Sequence, residues 1–453
     1  MGKRLCAAMT RAGTRVIAAD RMKYMPSTIQ AVADTSIGSV DVRDKEALKQ
    51  LFRDYADETT TVWNLASPLS VETAMSPELA EAVVIGGMRN VLDAMKEVGC
   101  RRICFTDSIG SFGSTSPRED VSGHWLVENP TQDPGSDYGK QKRATRELLD
   151  EFRQRDGGDP RIAVLPGVLH SEYAPHSVDP IRRAHDAPTT ALRPRHTTPT
   201  DTMDAHAVQM RRPVWGNGTT EYALDAMLAA ARGESFACPI DPDVVLPMVF
   251  VDDLMRGLLA LQYANEDELL EPQRIYNIPG LSFSARQLFE EIKVFKPDFE
   301  VTHGPLDPNM DKFAKLWPDT LSAEETARDL EYEAGVKLPA VVASVLNAHS
   351  ARQLTTRAAF RSIDSCSSGQ INDYMLASYV RKYLLRGRER AAGKTGARKE
   401  MIADITKDLM LAMDLDKDGI VSIEDFMAWG RINNLESLVD DYAAEKLRQM
   451  GVP

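Results

Sequence analysis

A chain of 453 residues, 43% hydrophobic and 27% charged, has the length for two or three domains and the composition of a soluble globular protein. Its net charge of -13 argues against non-specific nucleic-acid binding and against docking on an anionic membrane. Five widely spread cysteines form no disulfide framework, Cys100 and Cys104 lack zinc spacing, and the most apolar stretch is broken by Asp252, Asp253 and Arg256, so no membrane span is expected.

A helix, "RLCAAMTRAG", begins almost at the first residue and leads into "RVIAAD" (15–20), a short β-branched run closed by Asp20. In a dinucleotide-binding unit an acid at this place accepts hydrogen bonds from ribose hydroxyls and disfavours the extra phosphate of NADP, which points to NAD. The glycine fingerprint that should precede the helix is nearly absent, with only Gly2 able to serve as its last glycine. The first strand is therefore expected to be missing and the unit to be truncated at its N-terminus.

Further runs, "TTVWNLA" (60–66), "RICFTDS" (102–108) and "RIAVLPG" (161–167), alternate with helical patterns at Lys45 to Tyr55, Glu78 to Val98 and Tyr138 to Arg155. That alternation predicts an α/β fold with a Rossmann-type parallel sheet over 1–168. Ligands of such sheets sit at the carboxyl ends of the strands, where Asp20, Ser67 and Ser108 fall.

Tyr138 and Lys142, four apart at the start of a helix, share one face. The ammonium could favour the ionised phenol and let Tyr138 take a proton from a substrate hydroxyl. Tyr442 and Lys446 have the same spacing but no strand before them, so they serve as the decoy. Ser108 at a strand end upstream completes a triplet in which the serine hydrogen-bonds the reacting oxygen. The competing reading of Ser108 is a turn or helix-cap serine.

Residues 169–213 are rich in Pro, Thr, Arg and His and are read as a disordered surface insertion. Beyond it "TEYALDAMLAAARG" and "PMVFVDDLMRGLLALQYA" are both helical in period, "RIYNIPG" is a strand and "ARQLFEEIKVF" a helix. Residues 214–338 are therefore expected to form a smaller α/β substrate lobe that completes the first unit. From about residue 340 the strands disappear, and an all-α module is expected over 345–453.

Within that module "DLDKDGIVSIED" fits a calcium loop: Asp414, Asp416 and Asp418 at the first, third and fifth places, Gly419 at the turn, the carbonyl of Ile420, and Asp425 at the twelfth. Its partner, "DSCSSGQINDYM", keeps Asp364, Gly369 and Ile371 but lacks ligands, so an EF-hand pair with one calcium site is expected. The "GKT" between the loops lacks phosphate-loop spacing and reads as a basic linker.

The order of "VWNLASPLS", "GGMRNVLDAM", "FTDSIGSFGSTSPR", "DYGKQK", "LPGVL", "GNGTTEYALDAM", "LPMVFVDDLMRGLLAL", "RIYNIPGLSFSARQL" and "WPDTL" resembles the short-chain-type L-threonine 3-dehydrogenases, relatives of the UDP-galactose 4-epimerases. It departs from their pattern at Asn64, Val84 and Asn217. The resemblance implies zinc-independent oxidation of L-threonine by NAD to 2-amino-3-oxobutanoate, in a homodimer. It implies substrate-facing hydroxyls at Ser67, Ser70, Ser108, Thr219 and Thr220, and cofactor contacts at Gly2, Asp20, Asp41, Val42, Leu65, Ala66 and Lys142. Eukaryotic members are mitochondrial, and a targeting peptide would lie upstream of Met1. Two other readings fit the same residues: a nucleotide-sugar epimerase or dehydratase, and an inactive dehydrogenase-like calcium-binding protein.

Overall fold

The structure, a computed structural model, describes residues 1–171, 219–363 and 370–379 apart from 24, 69–72, 74–75 and 271–273, together with 403, 406–407, 409–411, 413–414, 420–423 and 425–426. The expected insertion falls almost wholly outside the described residues.

Helix α1 (Gly2–Arg11) buries Leu5 and Met9 and is followed by β1 (Ile17–Ala19) and β2 (Thr35–Ile37), which pair in parallel. Helix α2 (Lys45–Tyr55) starts where the Asp44 carboxylate accepts from the amide of Ala47 at 3.0 Å, and it presents Leu48 and Phe52 inward. After β3 (Thr61–Asn64), the sequence predicted as one helix from Glu78 to Val98 runs as Pro77–Glu81, a π-turn stretch Ala82–Gly86, and α3 (Gly87–Glu97).

Strand β4 (Arg102–Ser108) then enters the core, and α4 (Asp137–Asp156) follows, opened by Ser136 and closed by Gly157 in the left-handed region at φ 67°. β5 (Asp159–Leu165) is buried along its whole length; it ends before Pro166, which separates it from β6 (Gly167–Leu169).

The second part of the chain contributes α5 (Tyr222–Arg232), β7 (Phe236–Cys238), β8 (Val245–Phe250), α6 (Val251–Tyr263), β9 (Arg274–Asn277) and β10 (Leu281–Ser284). It continues with α7 (Ala285–Phe295), β11 (Val301–His303), α8 (Pro308–Leu316), α9 (Glu324–Leu330) and α10 (Leu338–Ile363). One expectation is corrected here: "PMVFVDDLMRGLLALQYA" is a strand up to Phe250 and a helix only from Val251, with Asp252 and Asp253 in its first turn.

The strands form a four-stranded parallel sheet of order β3-β4-β5-β9, a parallel pair β1-β2, a mixed sheet β10-β8-β6 and a parallel pair β7-β11. Strand β9 thus returns from the second half of the chain to the main sheet. Among the described residues no strand joins β1 to β3, so the parallel layer is in two pieces. The core beneath it is built on Met88, Met95, Ile103, Ala163, Val164 and Leu254, all inaccessible to solvent.

The module is described only in part. β12 (Gln370–Ile371) pairs antiparallel with β13 (Val421–Ser422), two residues each, so strands do not vanish entirely after residue 340; α11 (Asp373–Tyr379) follows the first of them. No helix among the described residues is long and apolar enough to cross a membrane.

Candidate active site

Parallel register places the carboxyl ends of the strands side by side. Asn64 lies opposite Phe105, and Ser108 opposite Leu165. Asp20 directly follows β1, Asp41 and Val42 follow β2, Leu65 to Ser67 follow β3, and Ser108 is the last residue of β4. Most residues singled out from the sequence therefore lie along one rim.

The triplet is gathered around Gly110. Ser136 caps α4 by accepting from the amide of Gly139 at 3.1 Å, which sets Tyr138 in the first turn. A Cβ placed on Gly110 would lie 3.3 Å from Tyr138 Cδ1 and 3.5 Å from Ser108 Oγ, so the phenol ring and the serine hydroxyl flank the same glycine. Ser108 Oγ accepts from the amide of Gly110 at 3.1 Å, which realises the cap reading of this serine and still leaves its own proton to donate outward.

Lys142, one turn on, is 4% exposed. Its ammonium donates to the carbonyl of Thr106 at 2.8 Å and lies 5.3 Å from the centroid of the Tyr138 ring and 4.7 Å from that of Phe105. No carboxylate pairs with it among the described residues. A buried cation satisfied by a carbonyl and two ring faces keeps donors for a further oxygen-bearing group.

Two glycines unremarked in the sequence make this packing possible. A Cβ on Gly139 would come 2.1 Å from the carbonyl oxygen of Gly110, so the helix can approach the strand end only without a side chain there. Gly87 allows α3 to approach Val42, whose Cγ2 would lie 2.7 Å from an added Cβ. The signal in the sequence was a glycine directly after the tyrosine, at a place where a helix otherwise disfavours one.

The cofactor-side residues are more open. Asp20 is exposed, and its carboxylate accepts from the amide of Met22 at 2.9 Å, leaving the second oxygen outward. The side chain of Asp41 is held by Arg43, whose guanidinium reaches it at 2.6 Å, and the hydrogen bonds from that side chain bring its carboxyl down to about 2. The carbonyl of Val42 accepts from Asn90 Nδ2 at 3.0 Å. Gly2, at the start of α1, lies against Leu65, its added Cβ 3.7 Å from Leu65 Cδ1, and the amide of Ala66 donates to Asn64 Oδ1 at 3.3 Å. A helix N-terminus beside the end of β3, an exposed acid at the end of β1 and a buried ammonium that meets no carboxylate among the described residues make a set of donors and an acceptor suited to a dinucleotide.

Of the proposed substrate-facing hydroxyls, Ser67 is exposed and donates to the carbonyl of Pro68 at 3.2 Å. Thr219 is buried in a short 3-10 turn ahead of α5, and Thr220 packs on Gly167, two residues past the partner of Ser108. Ser70 lies outside the described residues, as do Asp416 and Asp418 of the calcium loop. Among the described residues no cluster of three His, Cys, Asp or Glu side chains could hold a metal.

The profile of the "NAD dependent epimerase/dehydratase family" matches residues 1–278, more than half of the sequence. The chain belongs to this family. Mitochondrial L-threonine 3-dehydrogenase of Bos taurus is 27% identical over 323 residues, covering 70% of this chain and 72% of the relative. The holo form of an L-threonine dehydrogenase from Cupriavidus necator shares the fold at a TM-score of 0.60 and 23% identity, covering 76% of this chain and 95% of that one. A UDP-glucose 4-epimerase from Thermotoga maritima, solved with UDP-glucose, gives 0.58 and 18%, covering 77% and 95%. Within the family, a serine at a strand end beside a tyrosine and a buried lysine on the next helix is therefore found here on the fold of both dehydrogenases and epimerases.

Proposed function

We propose that this chain is an NAD-dependent oxidoreductase that converts L-threonine to 2-amino-3-oxobutanoate. The observation that carries the reading is the placement of Ser108 and Tyr138 around Gly110 with the buried ammonium of Lys142 beside the tyrosine ring. Ser108 donates to the oxygen of the substrate's secondary alcohol and holds it against Tyr138. The tyrosine oxygen takes the hydroxyl proton, and the positive charge of Lys142 stabilises the anion that Tyr138 presents. Bound NAD would supply the hydride acceptor for the carbon that bears this oxygen. Asp20 would hold a ribose of the cofactor, with Gly2, Asp41, Val42, Leu65, Ala66 and Lys142 around it. Threonine is favoured over a nucleotide sugar by the bovine relative and by the hydroxyl set Ser67, Thr219 and Thr220. The same reading includes a homodimer, a catalytic part spanning 1–168 and 214–338, and a mitochondrial location.

The test is NADH formation by the purified chain with L-threonine, wild type against Tyr138→Phe. The variant should lose about a thousandfold in turnover, since a general acid-base group is removed, and keep its affinity for NAD. Equal loss from Tyr442→Phe, or turnover of nucleotide sugars without threonine oxidation, would overturn the assignment.

We also read residues 345–453 as an EF-hand pair that binds one calcium ion through Asp414, Asp416, Asp418, the carbonyl of Ile420 and Asp425. Support comes from the pairing of Ile371 with Val421, which joins two loops fifty residues apart, and from the rings of Phe360 and Phe426, 5.5 Å apart on either side of them. The Asp425 carboxylate here accepts from the amide of Ser422 at 3.1 Å and from its hydroxyl at 2.6 Å, at the start of the helix after the loop. Calcium titration of the full chain should give one ion, lost in Asp414→Ala. Two ions, or binding that survives the substitution, would end this reading.

A further inference from the structure

We propose that Asp107 and Arg146 form a buried charge clamp that positions Ser108 against Tyr138, so that both are positioning residues for the proton-transfer site. The inference rests on the role given above to Ser108, Tyr138 and Lys142.

The side chain of Asp107 is 0% exposed and that of Arg146 6%, and Arg146 Nη1 donates to Asp107 Oδ2. The other carboxylate oxygen, Oδ1, accepts from the amide of Ser108 at 2.8 Å and from Ser111 Oγ at 2.5 Å. Arg146 Nη1 reaches Ser111 Oγ as well, at 3.0 Å. One carboxylate therefore holds the backbone amide of Ser108 and the side chain of Ser111, on either side of Gly110, the glycine that Tyr138 and Ser108 flank.

The helix supplies the other half. Tyr138, Lys142 and Arg146 stand at four-residue intervals and so share one face of α4. Tyr138 meets Gly110, Lys142 donates to Thr106, and Arg146 takes Asp107, so three successive turns hold neighbouring residues of the strand end. Two charges buried for packing alone are a poor device, because apolar residues of like volume do as well or better. What an ion pair adds is direction. It sets the strand end against the helix at one register, and reacting groups lose about a hundredfold in rate when misplaced by about 1 Å.

The test uses the full chain with Asp107→Ser/Arg146→Met, which leaves neither charge unpaired, and with Arg146→Lys, which keeps the charge but replaces the rigid planar guanidinium with a shorter, freely rotating ammonium. Each is measured for kcat, for KM with NAD and with L-threonine, and for amide exchange of the segment 106–113. The double variant should lose about tenfold or more in kcat with both KM values within about twofold of wild type. Its segment 106–113 should exchange at least about tenfold faster while β5 is unchanged. Arg146→Lys should fall between the two, and it alone decides by the same criteria if the double variant does not fold. Wild-type kcat together with wild-type exchange in the variants overturns the clamp. If the wild type oxidises no threonine, the substrate assignment fails, and the exchange measurement still decides the clamp.

Discussion

Strands β4 and β5 and strands β1 and β2 are both parallel pairs at the same rim, yet they are held in different ways. The first pair runs seven residues in unbroken register and is gripped at both ends by buried charge. At its carboxyl end sit Asp107 and Arg146. At its amino end Asp159, with 2% of its side chain exposed, takes Arg102 at 2.7 Å, Arg161 at 3.0 Å, and Arg274. Arg161, itself inaccessible, turns its other nitrogen to the carbonyls of Leu261, Gln262 and Ala264 and so closes the end of α6. The pair β1-β2 has three residues in each strand, half-buried or exposed, and its neighbouring polar groups, Asp20 and Asp41, face outward or a surface arginine. Under the proposed function, the groups that must meet within a fraction of an ångström stand on the clamped pair, and those that would grip a cofactor stand on the open one.

Asp159→Ala is the strongest way to break this contrast. It leaves Arg161 buried without its counter-charge and takes from Arg274 the more buried of its two carboxylate partners, Glu266 remaining at 3.1 Å, and it should cost about 3–5 kcal/mol in urea denaturation. The effect has a pH signature. Burial pushes the Asp159 carboxyl upward, but hydrogen bonds from Arg161 and Arg102 and the charges around them outweigh it and hold it below the ordinary value. Its folded value is thus below its unfolded one, so its contribution is present above about pH 4 and disappears as pH falls through the folded value. Asp159→Asn should lose less stability than wild type between neutral and acid pH.

A smaller effect is expected of Gly139→Ala. The added methyl would collide with the carbonyl of Gly110 and push α4 off the strand end. Denaturation should report about 1–3 kcal/mol, while turnover falls more steeply than stability explains, by about a hundredfold. Smallest is Arg43→Ala on the open pair. The ion pair with Asp41 is exposed, so the denaturation midpoint should not move, but a carboxylate titration by NMR should find Asp41 risen from about 2 toward its ordinary value. A shifted midpoint there would show that the open pair is held as firmly as the clamped one.

The sequence disclosed where the candidate site residues lie better than it disclosed the scaffold around them. Asp20, Ser67 and Ser108 could be read because polar residues closing β-branched runs mark strand ends, and Tyr138 and Lys142 because helical spacing puts them on one face. The junction at Phe250 and Val251 could not, since a continuous apolar run fits a buried strand and a buried helix alike, and only Asp252 and Asp253 in the helix's first turn marked the change. Arg146 and Asp107, or Asp159 and Arg274, become partners only when the chain has folded, so no local pattern announces them. Gly139 and Gly87 belong to the same class: what they admit lies far away in sequence.

The divided sheet has a bearing on cooperativity. Among the described residues strands β1 and β2 share no ladder with the rest of the layer, and their link to it runs through packed side chains and isolated polar contacts such as Thr14 to Tyr263 and Asn90 to Val42. A unit joined in this way is expected to open at a lower free energy than the whole fold, which faster amide exchange in β1 and β2 than in β4 and β5 would show. The residues around Asp20 can therefore breathe and settle around a long ligand while the strand beneath Ser108 keeps its place.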